Sequence, residues 1–138
     1  CRDALQCVST PRKSIMQKTP TILIIDAEEC IRYTIKYFLR EKGYEAHTAK
    51  NYEEALSLAS IFSYDLIFFD TIWEMKQCLE IIRTLKRANH CPIAVITASP
   101  DDNDAVAARA AGVFDYFPKP LTQEKLLQIT SIALQAYQ

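Results

Sequence analysis

Short apolar runs alternate with longer amphipathic segments from residue 21 to the end of the chain. Three of the runs, in residues 21–25, 65–70 and 92–99, are rich in apolar and β-branched residues. This pattern is typical of strands that are buried on both faces of a sheet. Two shorter strands are predicted in residues 44–49 and 114–120, the second of them interrupted by prolines. The chain therefore carries five candidate strands.

The segments between the strands have the period of amphipathic helices. Asn51 and Thr122 stand where helix N-caps are expected, and Gly43 and Gly112 stand where helices should end. In the first segment, apolar residues recur at helical spacing. We predict helices in residues 28–43, 51–62, 76–88, 101–112 and 122–137.

Strict alternation of strands and helices predicts an α/β fold. It requires a parallel sheet with helices on both faces, and right-handed crossovers favour a doubly wound, flavodoxin-like, five-stranded sheet of strand order 2-1-3-4-5. Residues 1–20 show no such period, so we expect a tail or linker there and one domain over residues 21–138. Cys1 in place of an initiating Met suggests a fragment or a processed chain.

Composition narrows the classes of partner and location. The net charge is −1 and the isoelectric point about 6.1, so no electrostatic attraction to nucleic acid or anionic lipid is expected. No apolar run approaches the roughly 20 residues of a membrane span. Five cysteines without a C-x-x-C pair argue against a zinc site and favour a reduced, cytoplasmic protein. A redox function of Cys30 or Cys78 is less favoured than a structural thiol.

Acidic residues end the first and third predicted strands. In a sheet of this order the carboxyl ends of those two strands flank the ligand-binding position, so Asp26 and Asp70 are expected to face one pocket. Neighbouring carboxylates repel unless a cation joins them, and an all-oxygen cluster suits Mg²⁺. Thr97 and Lys119 end the fourth and fifth strands and would complete a cradle for an anion. A carboxylate in such a cradle can attack phosphorus.

Each of these residues also has a structural explanation. A strand-end Asp often only caps the following helix, and a lone Thr or Lys is commonly structural or solvated. The occurrence of four polar residues at the same ends of four strands favours a functional site over these explanations.

Four motifs resemble a known family. "IIDAEE", "LIFFDTIWEM", "VITAS" and "DYFPKP" match, in order and spacing, the receiver domain of two-component response regulators over residues 20–137. The resemblance implies that Asp70 accepts a phosphoryl group, that the Thr97 hydroxyl turns toward that group, and that the Lys119 cation pairs with it.

The resemblance also implies a metal site and a switch. Asp26, Asp70 and the main-chain carbonyl of Ile72 would hold Mg²⁺. Tyr116 stands at the aromatic switch position of the family and is expected to move inward when Thr97 is drawn to the phosphate.

The chain departs from the family at positions near the metal. The family usually has two acids where this chain has Asp26 and Ala27, and the second normally contacts the metal directly. The loop after the third strand usually has Pro at the position of Glu74 and Gly at that of Cys78. We therefore predict a Mg²⁺ site that is weakened or absent. Glu74 is a better candidate for a replacement ligand than Glu28, which is expected to face away or to serve the helix N-terminus.

Two functions remain open. In the first, a histidine kinase or a phosphotransfer protein phosphorylates Asp70, and an added charge of about −1.5 to −2 draws Thr97 and Tyr116 into an active arrangement. In the second, a degenerate receiver binds its partner without phosphorylation. The presence of all four residues, Asp70, Thr97, Tyr116 and Lys119, favours the first function. The absence of the second acid, at Ala27, favours the second function. In both, an output domain or partner protein would bind the face of the fourth helix, fifth strand and fifth helix.

Enzymatic functions are less favoured. Haloacid-dehalogenase-like phosphatases also use a strand-end Asp nucleophile, but they place a second Asp two residues later, where this chain has Ile72. A flavodoxin-like flavin binder needs a hydroxyl-rich phosphate loop after the first strand, where this chain has "DAEEC". We expect a phosphoacceptor signalling domain with at most self-catalysed phosphotransfer and dephosphorylation.

Overall fold

Strands and helices alternate as predicted in the computed structural model, which describes residues 19–71 and 74–136. The predicted tail falls almost entirely outside the described residues. The strands are β1 (Thr21–Ile25), β2 (Glu45–Ala49), β3 (Leu66–Asp70), β4 (Ile93–Thr97) and β5 (Asp115–Pro118). The helices are α1 (Glu29–Glu41), α2 (Tyr52–Ile61), α3 (Met75–Ala88), α4 (Asp102–Ala110) and α5 (Gln123–Ala136).

The five strands form one parallel sheet in the order β2-β1-β3-β4-β5, which confirms the predicted fold class and topology. Ile25 lies opposite Phe69, and Asp70 lies opposite Ile96. This register brings the carboxyl ends of β1, β3 and β4 side by side at one edge of the sheet. Within the described ranges, no helix combines the length and apolar character that a membrane span requires.

Alternate residues of the central strands face two separate apolar layers. Ile24 of β1 belongs to the layer that α1 and α5 cover, whereas the adjacent Ile25 belongs to the layer that α2, α3 and α4 cover. Both residues are almost fully buried. Because the sheet is covered on both faces, its central strands need apolar residues at every position, which explains the continuous runs in the sequence.

The helix ends follow the local signals in the sequence. Asn51 Oδ1 accepts a hydrogen bond from the backbone amide of Glu54 at 2.8 Å, and Thr122 Oγ1 accepts one from the amide three residues later at 3.0 Å. Gly43 and Gly112 have φ angles of +88° and +98°. These are left-handed conformations that favour glycine after a helix.

Candidate functional site

Side chains from four strand ends converge at the carboxyl edge of the sheet. Asp26 follows β1, Asp70 and Thr97 are the last residues of β3 and β4, and Lys119 follows β5. Lys119 Nζ lies 2.8 Å from Asp26 Oδ2 and 3.2 Å from Asp70 Oδ1. The fold therefore joins two carboxylates to one ammonium group.

Burial and charge together set the protonation of this cluster. Burial raises the pKa of Asp70 and the Asp26 charge raises it further, while Lys119 and the backbone amide of Ala27 act in the opposite direction. Burial alone would lower the pKa of Lys119, but its contacts with Asp26 and Asp70 outweigh burial and raise it. Lys119 is thus held as a cation between two carboxylates.

The loop after β1 is fixed by several hydrogen bonds. The Asp26 amide donates to the Ala49 carbonyl at 3.0 Å, and Asp26 Oδ1 accepts from the Glu28 amide at 2.9 Å. Arg32 of α1 donates from Nη1 to the carbonyls of Asp26 and Ala27, at 2.8 and 3.1 Å. The backbone that carries Ala27 is therefore well anchored, although its side chain offers no carboxylate.

Glu28 lies nearer to the site than predicted. It is the N-cap residue of α1 but makes no side-chain capping bond, and its backbone is extended, with φ −88° and ψ 118°. Its Oε1 atom lies 3.5 Å from Lys119 Nζ, and its side chain is 66% exposed. The prediction that Glu28 faces away or serves the helix end is wrong, because the carboxylate turns toward the sheet edge.

The other two predicted metal ligands belong to the loop after β3. Ile72 lies outside the described residues. Glu74 is an exposed residue at the N-cap position of α3, and its function as a ligand stays a prediction.

The Thr97 hydroxyl is buried and hydrogen-bonded. Its Oγ1 atom accepts from the Ser99 amide at 3.1 Å and from Thr71 Oγ1 at 2.9 Å. Asp70, Thr71 and Thr97 line a cavity of about 280 Å³ together with Lys119. Sequence reasoning did not single out Thr71, although a hydroxyl residue directly after the strand-end Asp70 was a signal that could have found it.

Tyr116 connects β5 to the start of α4. It pairs with Val95 in the sheet, two residues before Thr97. Its side chain is half-buried, and its hydroxyl accepts a hydrogen bond from the Asp101 amide at 3.3 Å. Because Asp101 is the N-cap residue of α4, a movement of Tyr116 would change the support at the start of that helix.

Tyr52 supports the backbone beneath Asp70. Its ring stacks on Phe69 with centroids 4.9 Å apart, and its hydroxyl donates to the Asp70 carbonyl at 2.9 Å. The same hydroxyl lies 3.0 Å from Cys78 Sγ. Tyr52 and Cys78 are buried, at 3% and 0% exposure. Sequence reasoning missed Tyr52 because only tertiary packing brings the first turn of α2 beneath β3.

Similarity to known proteins covers most of the chain. The profile described as response regulator receiver domain matches residues 22–131. The transcriptional regulatory protein ResD of Bacillus subtilis is 29% identical over 118 residues, which cover 85% of this chain and 49% of that protein. The transcriptional regulatory protein SrrA of Staphylococcus aureus is 30% identical over 112 residues, covering 80% and 46%. The chain spans about half the length of these relatives.

Solved structures of response regulators share the fold. A two-component response regulator from Clostridium difficile has a TM-score of 0.81 and 31% identity, covering 86% of this chain and 98% of that one. One from Thermotoga maritima has a TM-score of 0.80 and 27% identity, covering 86% and 99%. A response regulator from Burkholderia pseudomallei, with a phosphorylated aspartic acid, calcium ion and citrate, has a TM-score of 0.74 and 29% identity, covering 86% and 72%.

Proposed function

Because the chain belongs to the receiver domains of response regulators, we propose that Asp70 accepts a phosphoryl group from a histidine kinase or a phosphotransfer protein. Receiver domains are signalling domains that act together with histidine kinases and output domains. The observation that best supports phosphorylation at Asp70 is its 3.2 Å contact with Lys119, in a cavity that Thr97 also lines. A nucleophile, a cation and a hydroxyl are thus available to one phosphoryl group.

In the proposed reaction, a carboxylate oxygen of Asp70 attacks the phosphorus atom of a phosphohistidine. A P–O bond forms, the P–N bond to the imidazole breaks, and the imidazole leaves with the electron pair and takes up a proton. Lys119 Nζ then pairs with a phosphoryl oxygen, and the Thr97 hydroxyl can donate to another. Hydrolysis of the aspartyl phosphate by water would restore the Asp70 carboxylate.

The donor atoms present fit Mg²⁺ in kind. Asp26 and Asp70 offer hard carboxylate oxygens, and the main-chain carbonyl of Ile72 is a further expected ligand, with Glu74 as a candidate. When bound, Mg²⁺ would neutralise charge on the phosphoryl oxygens. Ala27 removes one expected carboxylate, so we infer that this chain binds the ion more weakly than a receiver with a complete acidic pair.

The face that would carry the signal lies around β5, which forms one edge of the sheet. Val106 on α4 is 66% exposed and Ile132 on α5 is 51% exposed. We propose that an output domain or a separate partner protein binds the face formed by α4, β5 and α5, and that this binding takes place in the cytoplasm. Tyr116 would connect this face to Asp70, because its hydroxyl contacts the start of α4 and its backbone pairs with β4 close to Thr97.

A degenerate receiver is the second candidate function, and Ala27 is the observation that favours it. In this function, a site that lacks one of its carboxylates would not be phosphorylated, and the face around β5 would still bind a partner. Retention of the Asp70, Thr97 and Lys119 constellation favours the phosphorylated form.

Intact mass spectrometry after incubation with acetyl phosphate distinguishes the two functions. We expect a single phosphate adduct on the wild-type chain in roughly 10–20 mM Mg²⁺, no adduct in EDTA, and none in Asp70→Asn. Absence of an adduct from the wild type, together with its appearance in Ala27→Asp, would establish the degenerate receiver instead.

A further inference from the structure

The residue after Ala27 provides a carboxylate at the same edge of the sheet. Glu28 Oε1 lies 3.5 Å from the Lys119 ammonium that also contacts Asp26 and Asp70. With Lys119, these three acids give the edge a formal charge of −2. Without Glu28, the formal charge would be only −1. Glu28 therefore gives this edge a formal charge that would balance a divalent cation, although Ala27 offers no carboxylate.

We propose that Glu28 supplies the metal-binding carboxylate that Ala27 lacks. The choice of Mg²⁺ as the ion rests on the proposed function, whereas the assignment of Glu28 rests on its position beside Lys119 and Asp26. Glu28 is thereby distinguished from Glu74, which no described contact brings to this edge.

Backbone and side chain of Glu28 have the properties that a replacement ligand needs. Its amide is fixed on Asp26 Oδ1 at 2.9 Å, and Arg32 holds the preceding two carbonyls. Its side chain is 66% exposed, so it can rotate without disturbing the core. A Glu side chain is also one methylene longer than Asp, which gives it additional reach from one position further along the chain.

Ligation requires such a rotation. In the part of the chain that the structure describes, no group of three acidic, His or Cys side chains is already arranged to hold a metal ion. Glu28 would leave Lys119, which keeps its contacts with Asp26 and Asp70 at 2.8 and 3.2 Å. The carboxylate would then turn into the cavity that it lines beside Asp70 and Thr71.

Calorimetric titration of the protein with Mg²⁺, without a phosphodonor, tests the assignment. We expect Glu28→Gln to weaken Mg²⁺ binding by about tenfold or more, since it removes a full charge from the ion's surroundings. Glu29→Gln is the matched control, because Glu29 is an exposed acid in the first turn of α1. The Mg²⁺ affinity of this variant should stay within about twofold of the wild-type affinity. The double variant Ala27→Asp, Glu28→Gln should bind Mg²⁺ at least as tightly as the wild type, because Asp at position 27 restores the complete acidic pair.

Equal Mg²⁺ affinity of Glu28→Gln and the wild type would overturn the assignment, as would a wild type that shows no binding at roughly 50 mM Mg²⁺. Thermal unfolding of each variant checks that the fold is retained. Mass spectrometry with acetyl phosphate on the same samples separates this assignment from the proposed function. Mg²⁺ binding through Glu28 without an adduct on Asp70 would refute only phosphorylation, and an adduct with unchanged Glu28→Gln affinity would refute only the assignment of Glu28.

Discussion

At the scale of single residues, Thr71 makes one of the two hydrogen bonds that the Thr97 hydroxyl accepts. A hydroxyl has two acceptor positions and one hydrogen, and Thr97 Oγ1 accepts from both Thr71 Oγ1 and the Ser99 amide. We expect the Thr97 side chain to rotate when its hydroxyl turns toward a phosphoryl group on Asp70, and this rotation would cost the hydrogen bond with Thr71. That bond would therefore favour the unphosphorylated arrangement.

Thr71→Val should make activation easier, because it removes the hydroxyl and keeps a β-branched side chain of similar shape. A neutral hydrogen bond contributes about 0.5–1.5 kcal/mol, so the concentration of the phosphoryl mimic beryllofluoride that gives half-conversion should fall between about twofold and tenfold. Amide NMR signals of Thr97 and its neighbours, in saturating Mg²⁺, provide the measurement. Thr71→Ser keeps the hydroxyl and should titrate like the wild type. A half-conversion point in Thr71→Val that is unchanged or higher would contradict this expectation.

Some residues of the site could be found from the sequence and others could not. Asp26, Asp70 and Lys119 could be placed at one edge because a predicted strand ends at or just before each of them, and the carboxyl ends of parallel strands share that edge. The direction of the Glu28 side chain could not be predicted, since it depends on an extended backbone just before α1. The hydrogen bond from Thr71 to the β4 hydroxyl also required the register between strands, which the sequence does not specify.

At the scale of secondary structure, two helices meet next to the backbone of Asp70. Tyr52 begins α2, stacks on Phe69 and donates to the Asp70 carbonyl, while Cys78 of α3 lies 3.0 Å from the same hydroxyl. The backbone at the end of β3 is therefore held by the Tyr52 side chain of α2, in addition to its pairing with the neighbouring strands.

Tyr52→Phe should disturb the site while keeping the stacked ring. Loss of the hydrogen bond to the Asp70 carbonyl should lower the free energy of unfolding by about 1 kcal/mol, and misplacement of the carboxylate should slow phosphorylation by acetyl phosphate by about threefold or more. Urea unfolding and timed mass spectrometry measure the two effects.

Tyr64→Phe is the matched control for this substitution. Tyr64 is also buried, and its hydroxyl bonds His47 Nδ1 at 2.7 Å, near the amino end of β3. We expect a similar loss of stability in this variant but an unchanged phosphorylation rate. Equal rates in the Tyr52→Phe and Tyr64→Phe variants would show that the hydroxyl of Tyr52 does not position Asp70.

At the scale of the whole molecule, the alternating pattern was sufficient to predict the fold, because strict alternation of strands and helices requires a parallel sheet and right-handed crossovers leave few strand orders. The ends of elements were less certain. The first helix was predicted over residues 28–43 and is observed at Glu29–Glu41. Its amino end depends on the conformation of Glu28, and its carboxyl end on the turn through Gly43.

The charge on Asp70 influences the stability of the whole fold. Burial raises the pKa of Asp70 above the ordinary value of 3.8, and the Asp26 charge is the second cause that raises it. The folded state therefore binds a proton at Asp70 more readily than the unfolded state does. The stabilisation from protonation is fully present below pH 3.8 and is lost as the pH rises through the raised pKa. Near neutral pH, the ionised Asp70 therefore opposes folding.

Asp70→Asn should consequently be more stable than the wild type near neutral pH in EDTA. The difference should shrink as the pH falls, because the wild-type carboxyl becomes neutral as well. Urea unfolding of both proteins from about pH 7.5 to about pH 3.5 measures the free energies. An Asn variant that is less stable at neutral pH, or a difference that does not depend on pH, would contradict the expectation.

The division of the core into two layers has a consequence for how such a chain can change over time. Ile24 and Ile25 are adjacent in sequence but pack on opposite sides of the sheet, so substitutions in one layer rarely touch side chains in the other. Energetic effects of substitutions without shared contacts are nearly additive. Each layer can therefore accumulate substitutions independently of the other, while the strand ends keep their positions. Divergence to the 27–31% identity between this chain and two solved structures of the same fold then needs no simultaneous change of both layers.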